Sequence, residues 1–108
     1  MIWYNYFMET FTRISASKAR EIMSLSEVTL VDIRDANAFA QAHIDGAQNV
    51  NDENIKSFLE ESDKEKPLVC YCYHGISSQR ASEFFVSQGF KKVYSIDGGW
   101  EAWRSSNV

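Results

Sequence analysis

The chain has 108 residues, 44% of them apolar and 24% charged, with a net charge of −4. That length suits one domain around one modest core. Lys and Arg are scattered singly or in pairs, so nucleic acid is not expected as a partner, because phosphate binding needs a basic patch. No apolar run reaches the length of a membrane span either.

The opening stretch MIWYNYFMETF is aromatic and lacks a basic n-region, a poor match to a secretory signal. Residues 1–10 read as an N-terminal extension or an extra docking strand, with Met8 as an alternative start, and residues 11–108 as the domain. Without a signal, a reduced cytoplasmic setting is expected. TRIS is a short strand, and Ser15 or Ser17 can cap the helix ASKAREIM, which carries Ala16, Ala19, Ile22 and Met23 on one side. VTLVDI is a continuous apolar run of the buried-strand type, closed by charged residues. A short helix ANAFAQAH and a short strand AQNV follow.

Asp52 is expected to cap ENIKSFLEES, where Ile55, Phe58 and Leu59 share a face. The polar loop SDKEKP leads to Pro67, which opens the strand LVCYC. The helix SSQRASEFFVSQ places Ala81, Phe84, Phe85 and Gln88 at helical spacing and stops at Gly89. KKVYSI is a further strand, and DGG turns into WEAW. Strands alternating with helices predict an α/β domain, with a mostly parallel sheet of about five strands and helices on both faces.

In such sheets ligands bind beyond the carboxyl ends of strands, and Cys72 sits at such an end. Gly75 permits a tight loop, and Ser77 or Ser78 then begins a helix. Loop N–H groups, joined by those of the first helical turn, can form an anion cradle. A cradle of this kind lowers a cysteine pKa from its free value of about 8.5 and makes a nucleophile. The local pattern equally allows Cys72 to be a small buried hydrophobe. Cys70, mid-strand between Val69 and Tyr71, reads as core. Two cysteines two apart in one strand are poorly placed for a mutual disulfide.

CYHGISS, between a buried strand and a helix, resembles the active-site loop of the rhodanese family of sulfurtransferases. LVDIRDANAFAQAHIDGAQNV resembles the family's upstream motif, and VYSIDGGWEAW its closing motif, in the same order and spacing. The likeness spans about residues 11–104, and it is nearest to the single-domain thiosulfate sulfurtransferases. It implies ping-pong sulfur transfer: Cys72 takes sulfane sulfur from thiosulfate or a similar donor, and the persulfide passes it to cyanide, a thiol or a protein acceptor. No metal and no organic cofactor is implied.

By the resemblance, the loop Tyr73, His74, Gly75, Ile76, Ser77 and Ser78 binds substrate and persulfide, with Asp32 and Arg34 as support that orients it through hydrogen bonds. Arg80, the first cation after the loop, is a candidate for attracting an anionic donor. His74 reads as pocket wall rather than general base, and His43 as a packing residue or a backbone hydrogen-bond partner. Trp100 and Trp103 read as core or pocket-edge packing. Ala42 and Asp45 replace the family's common Gly and Pro. His74 and Ile76 stand where other members place Arg, Lys or Thr, which leaves the donor open.

Three rivals remain. A cysteine phosphatase or arsenate reductase is one, but phosphatases need an Arg after five intervening residues, where this chain has Ser78. A sulfur-carrier or interaction module shares the loop. A metal site from Cys70, Cys72 and His74 lacks an evident fourth ligand.

Overall fold

Strands that are apolar on both faces need cover on both, and the architecture supplies it. The computed structural model describes residues 11–106, so the expectations for residues 1–10 lie outside the described residues. In chain order the elements are β1 (Thr12–Ile14), α1 (Ala16–Leu25), β2 (Thr29–Asp32), α2 (Ala36–Gln41), β3 (Gln48–Asn49), α3 (Ile55–Glu61), β4 (Leu68–Tyr71), α4 (Ser77–Ser87), β5 (Val93–Ile96) and α5 (Gly99–Ser105). The sheet runs β1-β5-β4-β2-β3, every neighbouring pair parallel.

Alternation along each strand divides the core into two. Val69 and Tyr71 join Leu30, Ile44 and Ile96 against Ala16 and Ala19 of α1, with Trp100 and Trp103 of α5 packed on the cluster. Leu68 and Cys70 join Val31 and Val93 against Phe58 of α3 and Phe85 of α4. All residues of β2 and β4 are buried, and side chains such as Val31, Leu68 and Val69 contribute about 1.5–3 kcal/mol each through burial.

Helix starts follow local chemistry. Ser15 accepts the Lys18 N–H at 3.0 Å, and Asp35 accepts the Ala38 N–H at 2.9 Å. Asp52 does not cap α3. Asn51 Oδ1 instead accepts the N–H groups of Glu53 and Asn54, closing a turn through residues 52–54 that delays the helix to Ile55. On α4 the buried face is Ser78, Ser82 and Phe85, whereas Phe84 is 42% exposed. Two adjacent aromatics cannot share one stripe of a helix, and small serines let α4 sit close to the sheet.

The layout positions a site. β2 connects outward to β3, and the chain then returns to place β4 on the other side of β2. That reversal opens a crevice beyond the C-terminal ends of β2 and β4. Arg34 follows β2 there, and Cys72 follows β4.

Candidate active site

The ladder of β4 ends at Tyr71, and Cys72 is the first residue past it. The chain turns through Gly75 into α4, so the helix N-terminus faces back toward the sulfur. Cys72 Sγ accepts the N–H of Gly75 and the N–H of Ser78, each at 3.2 Å, and lies 3.4 Å from Ser78 Oγ. Burial by itself would raise the thiol pKa. The Ser78 hydroxyl and the N–H groups of Ser78, Gly75 and His74 outweigh it, and the thiol ends below its ordinary value. The Ser78 side chain is therefore a thiol partner rather than a helix cap, and α4 has no side-chain cap at all.

A second helix end grips the loop from the opposite side. Trp100 N–H donates to the Cys72 carbonyl at 2.7 Å and Glu101 N–H to the Tyr73 carbonyl at 3.2 Å. Two glycines make this approach possible. A Cβ on Gly75 (φ +89°) would lie 2.5 Å from Gly98 N. One on Gly99 (φ +55°) would overlap the Cys72 carbonyl oxygen and lie 2.7 Å from Tyr73 C and O. Gln79 adds a brace, its Nε2 donating to the Gly75 carbonyl at 2.8 Å. Sequence reasoning did not identify Gly99, Trp100 N–H or Gln79 as site parts; the paired glycines after β5 were the available signal.

Asp32 and Arg34 meet directly. Arg34 Nε donates to both Asp32 oxygens at 3.1 Å, and Nη2 donates to Oδ2 and to the Ala42 carbonyl at 2.7 Å each. Both side chains are essentially sealed, at 2% and 0% exposure. Burial opposes the guanidinium charge, but Asp32 more than offsets it and Arg34 is held firmly protonated. Its guanidinium lies 4.7 Å from the Trp100 ring centroid and 5.3 Å from that of Tyr73. The hydrogen bonds expected to orient the loop thus go to Asp32 and Ala42. Contact with the loop is through the Tyr73 ring instead.

An open pocket of about 470 Å³ is lined by Ile33, Arg34, Asp35, Cys72, Tyr73, His74, Ile76 and Ser77. Ile76 is 76% exposed at its rim. Arg80 does not line this pocket; it lies on a neighbouring groove of about 820 Å³ that also takes in Ile33, Arg34 and Phe84. His43 stacks on Phe39 and bonds its carbonyl, away from the thiol. Cys70 is fully buried, and burial pushes its thiol up. Both cysteines are free. Among the described residues, no three His, Cys, Asp or Glu side chains gather as a metal site. None of the described helices is long and apolar enough to cross a membrane. The sixth position after Cys72, which a phosphatase gives to Arg, holds the buried Ser78.

The rhodanese-like domain family matches residues 15–106. The chain is 46% identical over 101 residues to the thiosulfate sulfurtransferase GlpE of Shewanella oneidensis, covering 94% of this chain and 100% of that protein. It is 41% identical to thiosulfate sulfurtransferase GlpE of Vibrio cholerae, covering 94% of this chain and 95% of that one. Among solved structures, a rhodanese-related protein from Thermoplasma volcanium superposes with a TM-score of 0.77 at 20% identity, over 91% of this chain and 95% of that one, a likeness of fold.

Proposed function

We propose that this chain, which belongs to the rhodanese-like domain family, is a thiosulfate sulfurtransferase that works through a persulfide on Cys72. The observation that carries the reading is the Cys72 sulfur itself, held by two backbone N–H groups and the Ser78 hydroxyl at the mouth of an open pocket. The names of relatives more than 40% identical across nearly the whole chain support the same chemistry.

In the first half-reaction Cys72 thiolate attacks the outer sulfur of thiosulfate. A new sulfur–sulfur bond forms, the bond to the sulfonate sulfur breaks, and sulfite leaves with the electron pair. Charge moves one atom outward, onto the terminal sulfur of the persulfide. The loop N–H groups from Tyr73 to Ser78, together with the α4 terminus, are the donors available to it. In the second half-reaction a thiophile, cyanide or a thiol, takes that sulfur and Cys72 thiolate returns. Splitting one transfer into two displacements at one nucleophile is covalent catalysis.

The remaining residues take supporting roles. Asp32 and Arg34 fix the floor of the pocket and the Tyr73 ring. His74, Ile76 and Ser77 shape its wall. Arg80 acts on an approaching anion only from the adjoining groove. Residues 11–108 are read as the catalytic domain, residues 1–10 as an extension, and a reduced cytoplasmic setting suits a nucleophile that must stay a free thiol. Thiocyanate production from thiosulfate and cyanide tests the reading. Parallel double-reciprocal lines and complete loss in Cys72→Ser are expected; turnover retained by Cys72→Ser would refute it.

A further inference from the structure

Behind the thiol lies a residue of the closing motif VYSIDGGWEAW that does not line the pocket and has no role assigned above. Ser95 on β5 is fully buried, and its Oγ lies 2.8 Å from Ser78 Oγ, its one hydrogen-bond partner among the described residues. Ser78 Oγ in turn lies 3.4 Å from Cys72 Sγ. The three atoms form a chain with two links, closed off from water at the Ser95 end.

Hydrogen counting gives this chain a direction. With Cys72 as a thiol there are three hydrogens for two links, so one hydrogen points out of the chain: at the Ser95 end, where no described residue accepts it, or from the sulfur into the pocket. With Cys72 as a thiolate there are two hydrogens for two links. Ser95 then donates to Ser78, Ser78 donates to the sulfur, and nothing is orphaned. Each donation also polarises the next, strengthening the bond that reaches the anion. We propose that Ser95 is a positioning residue that turns the Ser78 hydroxyl hydrogen toward Cys72 and thereby favours the nucleophilic thiolate. The inference rests on the reading of Cys72 as the sulfur-accepting nucleophile and adds to it the strand residue that sets its ionisation.

The elements packed around the thiol carry other ionisable groups: Asp32 at the end of β2, Arg34 and Asp35 after it, Tyr73 and His74 in the loop, Cys70 on β4, Arg80 on α4, and Asp97 and Glu101 beyond β5. They are common to every variant below, so a difference between variants isolates the hydroxyl chain.

The test is the pH dependence of iodoacetamide alkylation at Cys72, read by peptide mass, which needs no sulfur donor. Ser95→Ala should raise the Cys72 pKa by about half a unit to one unit, about three- to tenfold in thiolate fraction below the pKa. In a Ser78→Ala background the same Ser95→Ala change should have no effect, because the link through which it acts is gone. Ser95→Thr, which keeps the hydroxyl, should titrate as wild type. Should Ser95→Ala not fold, Ser95→Cys takes its place with a rise expected from its weaker donor. An unchanged pKa in Ser95→Ala, or an equal rise with and without Ser78, would overturn the proposal. Failure of thiosulfate to load Cys72 would instead overturn the sulfurtransferase reading and leave this titration standing.

Discussion

Asp32→Asn would leave the Arg34 guanidinium buried with half of its partner. The Asp32 carboxylate takes the Arg34 backbone N–H at 2.8 Å and Nε at 3.1 Å on Oδ1, and Nε at 3.1 Å and Nη2 at 2.7 Å on Oδ2. An amide can keep the Oδ1 side, but its NH₂ then faces Nη2, donor against donor. Breaking a buried pair by removing one partner costs about 3–5 kcal/mol, and Asp32→Asn should fall at the lower end because half of the contacts persist. Arg34→Met strands the carboxylate and should fall at the upper end, with the Ala42 carbonyl also losing its donor. The double variant removes both charges together. Its cost should be smaller than the sum of the single costs by about 2 kcal/mol or more. The surface pair Arg13–Asp97, 59% and 45% exposed, provides the contrast: breaking it should cost at most about 1 kcal/mol. Urea unfolding followed by circular dichroism reads all of these. Single-variant costs that simply add in the double variant would refute the claim that this is one coupled, sealed pair.

Three further outcomes are expected. Because the native Cys72 pKa lies below its unfolded value, the folded state favours the thiolate. The stability of wild type over Cys72→Ala should therefore grow as pH rises from the native pKa toward the unfolded value of about 8.5 and level off above it; a margin that shrinks with pH would contradict the donor geometry. Gly99→Ala forces a methyl against the backbone of Cys72 and Tyr73 at a left-handed φ and should destabilise by about 2–4 kcal/mol, with persulfide yield falling alongside; a wild-type melting temperature would show that the loop is not clamped there. Cys70→Ala should retain full sulfur transfer while losing about 1 kcal/mol of stability from core packing; a large loss of turnover would give Cys70 a chemical role.

Much of the fold was legible because parallel strands covered on both faces have no polar side to display. The runs VTLVDI and LVCYC therefore stand out as strands, and the structure forms β2 and β4 within them, β4 stopping one residue short at Tyr71. Cys72 was legible by position, at the end of a buried strand and before a helix. What the sequence hid depended on contacts between distant segments. Nothing local to Asp32 and Arg34 says that the guanidinium reaches back to Ala42 and lies over the rings of Tyr73 and Trp100. The paired glycines of the DGG turn signal a close backbone approach but not its partner, so the docking of the Trp100 and Glu101 N–H groups on the carbonyls of Cys72 and Tyr73 stayed hidden. Asn51 displaced Asp52 as the residue organising the entry to α3, since two neighbouring polar side chains compete for the same backbone donors. Ser95 carries no local signal in its strand; only the pairing of β5 with β4 and the packing of α4 bring its hydroxyl to Ser78.

Intact-mass spectrometry of the reduced protein after brief exposure to thiosulfate decides whether Cys72 carries the transferred sulfur. A gain of one sulfur atom is expected, located on Cys72, reversed by cyanide and absent from Cys72→Ser, while Cys70→Ala still acquires it. No adduct on wild type, or the same adduct on Cys72→Ser, would contradict it.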